Sequence, residues 1–370
     1  MSEQKTPVAE QRSAPDSDSG SGGTASGSHA PGSTARGSAA PGTSFLHGSG
    51  ARSLGLLIAL AALFAIGFIT SGERFLAIEN ILTILRYASI IGVISVGVTF
   101  VITAGGIDLS VGSVMGLTTV VASLTAVQLA ATQSSWLLMV LIALAVGAVA
   151  GLVNGVIIAY GNVVAFIATL AMLVGARGLA ELISGRRTLI VNNRDFLGFM
   201  RADFLGIPVL VWIFLLVAVG GWFLLNRTTF GRRTIAIGGN FEASRLAGIK
   251  VKRHLVMLYV LAGFAAGIAG LMMMGRTTAG TSTHGLLFEL EAIAAVVVGG
   301  TLLSGGRGTI VGTVLGVLIF STLTNVFTQN NMDTSVQALA KGVIIVVAVL
   351  LQQRFAARNE RRAKAKPLKV

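Results

Sequence analysis

The sequence predicts an all-α, polytopic membrane protein with an internal repeat, and three observations predict it. Of 370 residues, 53% are hydrophobic and only 12% charged, with a mean hydropathy of +0.80, a composition too apolar for a water-soluble domain. Apolar runs follow one another from residue 54 to residue 352, many close to the roughly 20 residues that a helix needs to cross the hydrocarbon core. Two Gly-rich stretches, 105–113 (Gly-Gly-Ile-Asp-Leu-Ser-Val-Gly-Ser) and 299–308 (Gly-Gly-Thr-Leu-Leu-Ser-Gly-Gly-Arg-Gly), interrupt those runs. Gly105, Gly106, Ser110 and Gly112 match Gly299, Gly300, Ser304 and Gly306 at one constant offset, which points to a duplication.

In chain order, residues 1–52 mix Ser, Gly, Ala, Thr and Pro without apolar periodicity, too little to offset ordering entropy. They read as a disordered cytoplasmic tail, with no apolar core near Met1 that would make a signal peptide. Residues 53–352 form the membrane domain. Ten candidate spans fall at 54–70, 88–104, 111–130, 136–159, 163–183, 207–225, 256–275, 291–303, 309–327 and 336–352. The second, third, eighth and ninth adjoin the Gly breaks and are candidates for discontinuous or re-entrant helices. A count of eight full spans leaves the two ends in the same compartment as a count of ten. Residues 353–370 make a basic tail.

Lys and Arg concentrate in the N-terminal tail, in segment 226–254 and in the C-terminal tail, which predicts that both termini face the cytoplasm. Trp136 and Trp222 lie near span ends, where amphipathic rings sit at the lipid interface. The net charge of +13 therefore reads as membrane orientation and lipid-bilayer contact, not nucleic-acid binding, since the charges do not gather on one folded face with aromatics. The absence of cysteine excludes disulfides and thiol chemistry. Of four histidines, His29 and His47 sit in the tail, so neither a metal site nor a cofactor is expected.

Within the first break, Asp108 has two readings. An intramembrane acid is a functional candidate, and the same carboxylate is placed to cap a helix starting near Ser110. Paired Gly-rich interruptions point to a transport path, although any single Gly serves equally as a close helix contact. Arg177 and Glu181 stand one turn apart and can pair. Lys341 is expected to snorkel or to meet an acid such as Asp333. Glu289 and Glu291 read as solvated charges or as lining of an outer entrance.

Segment 226–254 is the one substantial internal polar loop. Asn240 is a good N-cap, residues 241–247 make about two helical turns, Gly248 is a natural stop, and Glu242 suits the positive helix end. This predicts a short helix on the inner membrane face. Its basic flanks suit anionic lipid or an acidic partner.

The stretches 103–116 (Thr-Ala-Gly-Gly-Ile-Asp-Leu-Ser-Val-Gly-Ser-Val-Met-Gly), 165–169 (Ala-Phe-Ile-Ala-Thr), 236–249 and 289–317 carry a resemblance to the membrane-spanning permeases of bacterial ATP-binding-cassette sugar importers of the ribose type. It extends over 54–352. The resemblance implies a homodimeric or heterodimeric pore with a second permease protomer, an ABC ATPase subunit on a separate chain and an extracytoplasmic sugar-binding protein. It also implies that the 240–247 helix is the coupling element, with Gly239, Asn240, Glu242, Ala243, Leu246 and Gly248 at the ATPase contact. Glu291 stands where such permeases often have Asp, and the long N-terminal tail lies outside the family pattern.

No Gly-rich loop ending in Gly-Lys-Ser or Gly-Lys-Thr is present, so the energy source must lie on a partner. A path for a neutral polyol calls for weak hydrogen-bonding groups, and Thr103, Asp108, Ser110, Asn154, Thr169, Ser304, Thr322 and Asn325 are the candidates; each singly serves equally as helix-packing glue. The competing class is a self-sufficient ion-coupled secondary transporter, with Asp108 and Glu181 as coupling carboxylates. An intramembrane enzyme lacks a nucleophile with a base, or a metal cluster. Related permeases also carry nucleosides or branched-chain amino acids.

Overall fold

The computed structural model describes residues 49–347 and 350. Residues 1–48 of the expected N-terminal tail (1–52) and the whole of the expected C-terminal tail (353–370) lie outside these residues, as does most of 348–352; residues 49–52 of the expected tail are helical. The chain begins with α1 (Ser49–Ser71), α2 (Glu73–Leu76), α3 (Ile78–Thr103), α4 (Val111–Ala122), α5 (Thr125–Gln133), α6 (Leu137–Ala159) and α7 (Ala165–Ser184). A polar segment follows, with β1 (Leu189–Ile190), α8 (Arg194–Arg201), β2 (Asp203–Phe204) and β3 (Ile207–Pro208). The rest comprises α9 (Val209–Arg227), α10 (Thr229–Gly239), α11 (Phe241–Leu246), α12 (Val251–Thr277), β4 (Ala279–Gly280), α13 (Phe288–Val298) and α14 (Ile310–Gln329), then α15 (Thr334–Val347). The strands are two-residue pairs: β1 with β4, and β2 with β3 across a turn in which Leu205 and Gly206 both have positive φ.

Among the described residues, seven helices are long and apolar enough to span a membrane: α1, α3, α6, α7, α9, α12 and α14. Counting the pair α4 and α5, bent by 58° at Ser123 and Leu124, as one broken span gives eight. The expectation of ten is corrected accordingly. The candidate at 291–303 resolves into α13, whose 11 residues rise only about 16 Å, followed by the second Gly-rich loop. Of the candidate at 336–352, residues 336–347 are helical in α15, and the remainder, apart from residue 350, lies outside the described residues. α3, by contrast, starts well before residue 88, because the polar Asn80 is absorbed by hydrogen bonds to the Phe75 carbonyl and to Asn325.

The two Gly-rich breaks perform the same task. Gly105 has φ +83 and Gly300 φ +93. In the first, the Gly106 amide donates to the Val101 carbonyl and the Gly105 amide to Ile102; in the second, Thr301 donates to Val296 and Gly300 to Val297. These are Schellman stops, which need a residue that tolerates the left-handed region. The structural equivalence of Gly105 with Gly300 lies one residue away from the offset that aligns the sequences. The breaks also touch: the Gly306 amide donates to the Thr103 carbonyl at 2.9 Å, and Gly238 of α10 packs against both Thr103 and Gly306.

The core is centred on α3 and α12, with Ile90, Ile94, Val98, Ile102, Tyr259, Ala262 and Ala266 almost fully buried. α6 and α12 share the most extensive contact of any two helices. Gly147, Gly151 and Gly155 stand at four-residue spacing on α6, and a Cβ on each would run into α12 backbone at Gly263, Tyr259 or Val256. Between helices in lipid, association depends on such close approach.

Lys341 of α15 pairs at 2.5 Å with Glu291 of α13, whose other oxygen accepts from the Tyr87 hydroxyl at 2.9 Å. This replaces the expected partner Asp333, which instead accepts from the Ser335 amide. The pair is half-buried, and removing one partner of a desolvated pair leaves an uncompensated charge. Lys341→Met is therefore expected to lower stability by ~2–3 kcal/mol, whereas the double variant Lys341→Met, Glu291→Leu recovers most of it. Thermal unfolding of the purified chain in detergent checks both; equal losses in the two variants would refute the coupling.

Candidate functional site

The loop between α3 and α4 is pinned from three sides. Asp108 is 2% exposed, and its Oδ1 accepts from the Ser110 amide at 2.9 Å and the Ser110 hydroxyl at 2.6 Å. Ser110 Oγ also receives Asn154 Nδ2 of α6 at 2.9 Å. The Ile107 carbonyl accepts from Tyr259 Oη of α12 at 3.3 Å and from Thr169 Oγ1 of α7 at 3.5 Å. Gly106 lets Tyr259 approach, since a Cβ there would lie 2.7 Å from its hydroxyl. Asp108 thus closes a side-chain turn onto Ser110, the residue that precedes α4, and Asn154 keeps a buried Oδ1 without a partner among the described residues.

Of the path candidates, Asp108, Ser110, Asn154 and Thr169 come together here. Thr103 and Ser304 belong to the contact between the two breaks: Thr103 is fully buried with its hydroxyl on the Thr99 carbonyl, and the Ser304 carbonyl approaches Gly105. Asn325 sits elsewhere, bonded to Asn80 at the opposite end of α3 from Thr103. Thr322 is buried on α14 with no hydrogen-bond partner among the described residues.

A second polar cluster was not legible as a unit in the sequence. Arg177 of α7 donates Nη1 to the carbonyls of Ser282 and His284, not to Glu181, which pairs with Arg186 at 3.1 Å. Gly112 and Gly116 on one face of α4 admit this loop: a Cβ at Gly116 would lie 2.8 Å from the His284 carbonyl, and one at Gly112 would strike Glu289 Oε2 and the Gly285 carbonyl. Glu289 is 7% exposed, with that oxygen unbonded among the described residues and Arg177 near enough to attract it. Glu289 and Glu291, two residues apart and hence on different sides of α13, meet different surroundings: Glu291 bonds Tyr87 and Lys341, whereas Glu289 faces α4 and the field of Arg177. Neither is the solvated charge that sequence alone suggested.

The cytoplasmic-helix expectation has a direct counterpart in α11. Asn240 Oδ1 accepts from the Ala243 amide at 2.9 Å, Gly248 has φ +81, and Glu242 pairs with Arg245 at 2.9 Å. Phe241 (45%) and Leu246 (78%) are exposed, so the helix presents apolar side chains outward. α10 before it was not foreseen; Thr228 caps it, with Oγ1 accepting from the Gly231 amide, and Gly231, Thr234 and Ile237 form its buried face. Among the described residues no three His, Asp or Glu side chains converge as a metal would require.

Residues 80–350 match the family described as the permease component of the branched-chain amino acid transport system. The chain belongs to this permease family. It is 41% identical over 302 residues to the ribose import permease protein RbsC of Escherichia coli K12, covering 80% of this chain and 92% of that one. It is 41% identical over 315 residues to RbsC of Bacillus subtilis, covering 84% and 96%, and 36% identical over 319 residues to the L-arabinose transport system permease protein AraH of Escherichia coli K12, covering 84% and 93%. No solved structure gives a significant match. The family match runs from the start of α3 to the end of the described chain, so the permease domain includes both Gly-rich breaks and α11, while α1 precedes it.

Proposed function

We propose that this permease is the membrane subunit of an ATP-driven importer, forming the path for a monosaccharide of the ribose-type pentose or hexose class. An extracytoplasmic binding protein delivers the sugar, a second permease protomer completes the pore, and a separate ATPase docks on α11. The protein sits in the bacterial inner membrane with both termini cytoplasmic. The observation that carries this reading is the identity of about 40% to ribose import permeases along nearly their whole length. The capped α11 with its exposed Phe241 and Leu246 supports it, because a carrier that needs no ATPase needs no such dock.

In mechanism, the chain performs no covalent chemistry. The cluster of Asp108, Ser110, Asn154 and Thr169, with Tyr259, offers neutral hydrogen-bonding groups and the free Asn154 Oδ1. Arg177, Glu289 and the 281–287 loop supply a second set. α10 connects α11 to both Gly-rich breaks through Gly238, so a push on α11 reaches the loop that carries Asp108. Switching then depends on the two states binding sugar and ATPase differently.

The ion-coupled alternative has a weaker basis. Its two carboxylates do not share a site: Thr169 contacts the Asp108 loop, and Glu181 lies about 18 Å farther along the same helix. Co-expression with the candidate ATPase and binding protein, purification in mild detergent and ribose uptake into proteoliposomes test the proposal. ATP-dependent uptake supports it; uptake driven by a proton or sodium gradient without an ATPase would overturn it.

Asp108→Asn keeps an acceptor for the Ser110 amide and hydroxyl, so uptake is expected to stay within about twofold of the parent. Asp108→Leu strands both donors, at ~1–3 kcal/mol for each buried group left unpaired, and should abolish uptake. A complete loss in Asp108→Asn with normal folding would instead make the charge itself functional.

A further inference from the structure

Beside α11 the surface opens into a cavity of about 330 Å³ lined by Arg233, Gly248, Ile249, Lys250, Arg253, His254 and Met257. Three of these residues are cations and none is an acid. Three other basic side chains of this segment are engaged: Arg245 with Glu242, Arg227 over the Trp222 ring and Lys252 over the Tyr160 ring. Arg233, Lys250 and Arg253, all exposed, have no carboxylate within ion-pair distance among the described residues.

The cavity also lies at the start of α12, a 27-residue helix whose N-cap, Lys250, makes no side-chain capping bond. The first amides of such a helix lack intrahelical acceptors and carry partial positive charge. His254 does not compete for a ligand, because its Nε2 is bonded to Thr234 Oγ1 at 2.8 Å and its ring packs on Phe230 at 4.5 Å. Met257, one turn further along a membrane-spanning helix, is 57% exposed and with Ile249 gives the cavity an apolar wall.

We infer that this cavity binds the headgroup of one anionic phospholipid, with Arg233, Lys250 and Arg253 on the phosphate and the first acyl segments along Ile249 and Met257. A free phosphate would use the cations but not the apolar wall, and that wall favours the lipid. The inference rests on the membrane placement of α12 and is independent of what is transported. A lipid held here would brace the junction through which α11 joins α12.

The test uses the full chain purified in neutral maltoside detergent and examined by native mass spectrometry after addition of phosphatidylglycerol or phosphatidylcholine. One phosphatidylglycerol is expected to be retained in preference to phosphatidylcholine. With each basic residue near an anionic surface contributing about 1 kcal/mol, Arg233→Gln, Lys250→Gln, Arg253→Gln together should weaken retention by on the order of 100-fold. Lys250→Gln alone, an exposed change that does not threaten folding, should weaken it several-fold. Arg227→Gln with Arg245→Gln, on the same loop but outside the cavity, should leave it unchanged. Equal retention of both lipids, parental retention in the triple variant, or full displacement of the lipid by millimolar inorganic phosphate would each overturn the assignment.

Discussion

Truncating Phe241 and Leu246 to alanine is expected to separate the permease from the ATPase proposed to dock on α11 while the membrane domain stays folded. Both side chains are exposed on α11, and surface substitutions of that kind change stability by only about 0.5 kcal/mol. Apolar anchors at the centre of an interface, by contrast, each contribute ~2 kcal/mol or more. Loss of both should weaken ATPase association by at least ~100-fold, read as loss of co-purification and of ATP-dependent uptake with an unchanged melting temperature. Glu242→Ala removes an exposed pair with Arg245 and acts on docking alone. Gly248→Val acts on the helix stop instead, because a β-branched residue is strained at φ +81. Retained association in the double alanine variant would show that the ATPase docks elsewhere.

The second large effect lies in the seam between α6 and α12. A Cβ at Gly151 meets the Tyr259 carbonyl and one at Gly147 meets the Gly263 carbonyl. Backbone cannot swing aside as a flexible side chain does. Overpacking of this kind costs ~1–3 kcal/mol and sometimes more, and two sites on one seam displace the same helix. Gly147→Val with Gly151→Val is expected to abolish recovery of folded protein from membranes. Gly175→Ala, at a glycine with open space around it, is the matched control and should be neutral. Normal yield and monodispersity of the double valine variant would refute the tight seam.

Much of this was readable from residue order because it rests on local chemistry. Asn240, Glu242 and Gly248 announce α11 by capping rules that need no tertiary partner, and α11 has those caps. The apolar runs announce the spans, since a helix in lipid must satisfy its own backbone. The Gly-Gly pairs announce helix stops, because few residues tolerate the left-handed region. Where apolar content alone decided, as at 291–303, the count of spans came out too high: α13 is as apolar as a span but ends after 11 residues at a Schellman glycine, which leaves it the interrupted element that the Gly break allowed for.

What only the tertiary structure decided is which polar group meets which. Arg177 has Glu181 one turn away, yet it reaches loop carbonyls more than a hundred residues on. Lys341 passes over Asp333 for Glu291. Asn325 joins Asn80, away from the Asp108 cluster. The physical reason is the apolar surroundings: a buried charge or amide must find a partner wherever packing brings one, and packing is set by glycine seams whose partners lie far apart in sequence. The residues thus determined by themselves a helical membrane permease with two stops and a capped surface helix. The close approach of those helices determined the polar clusters inside it.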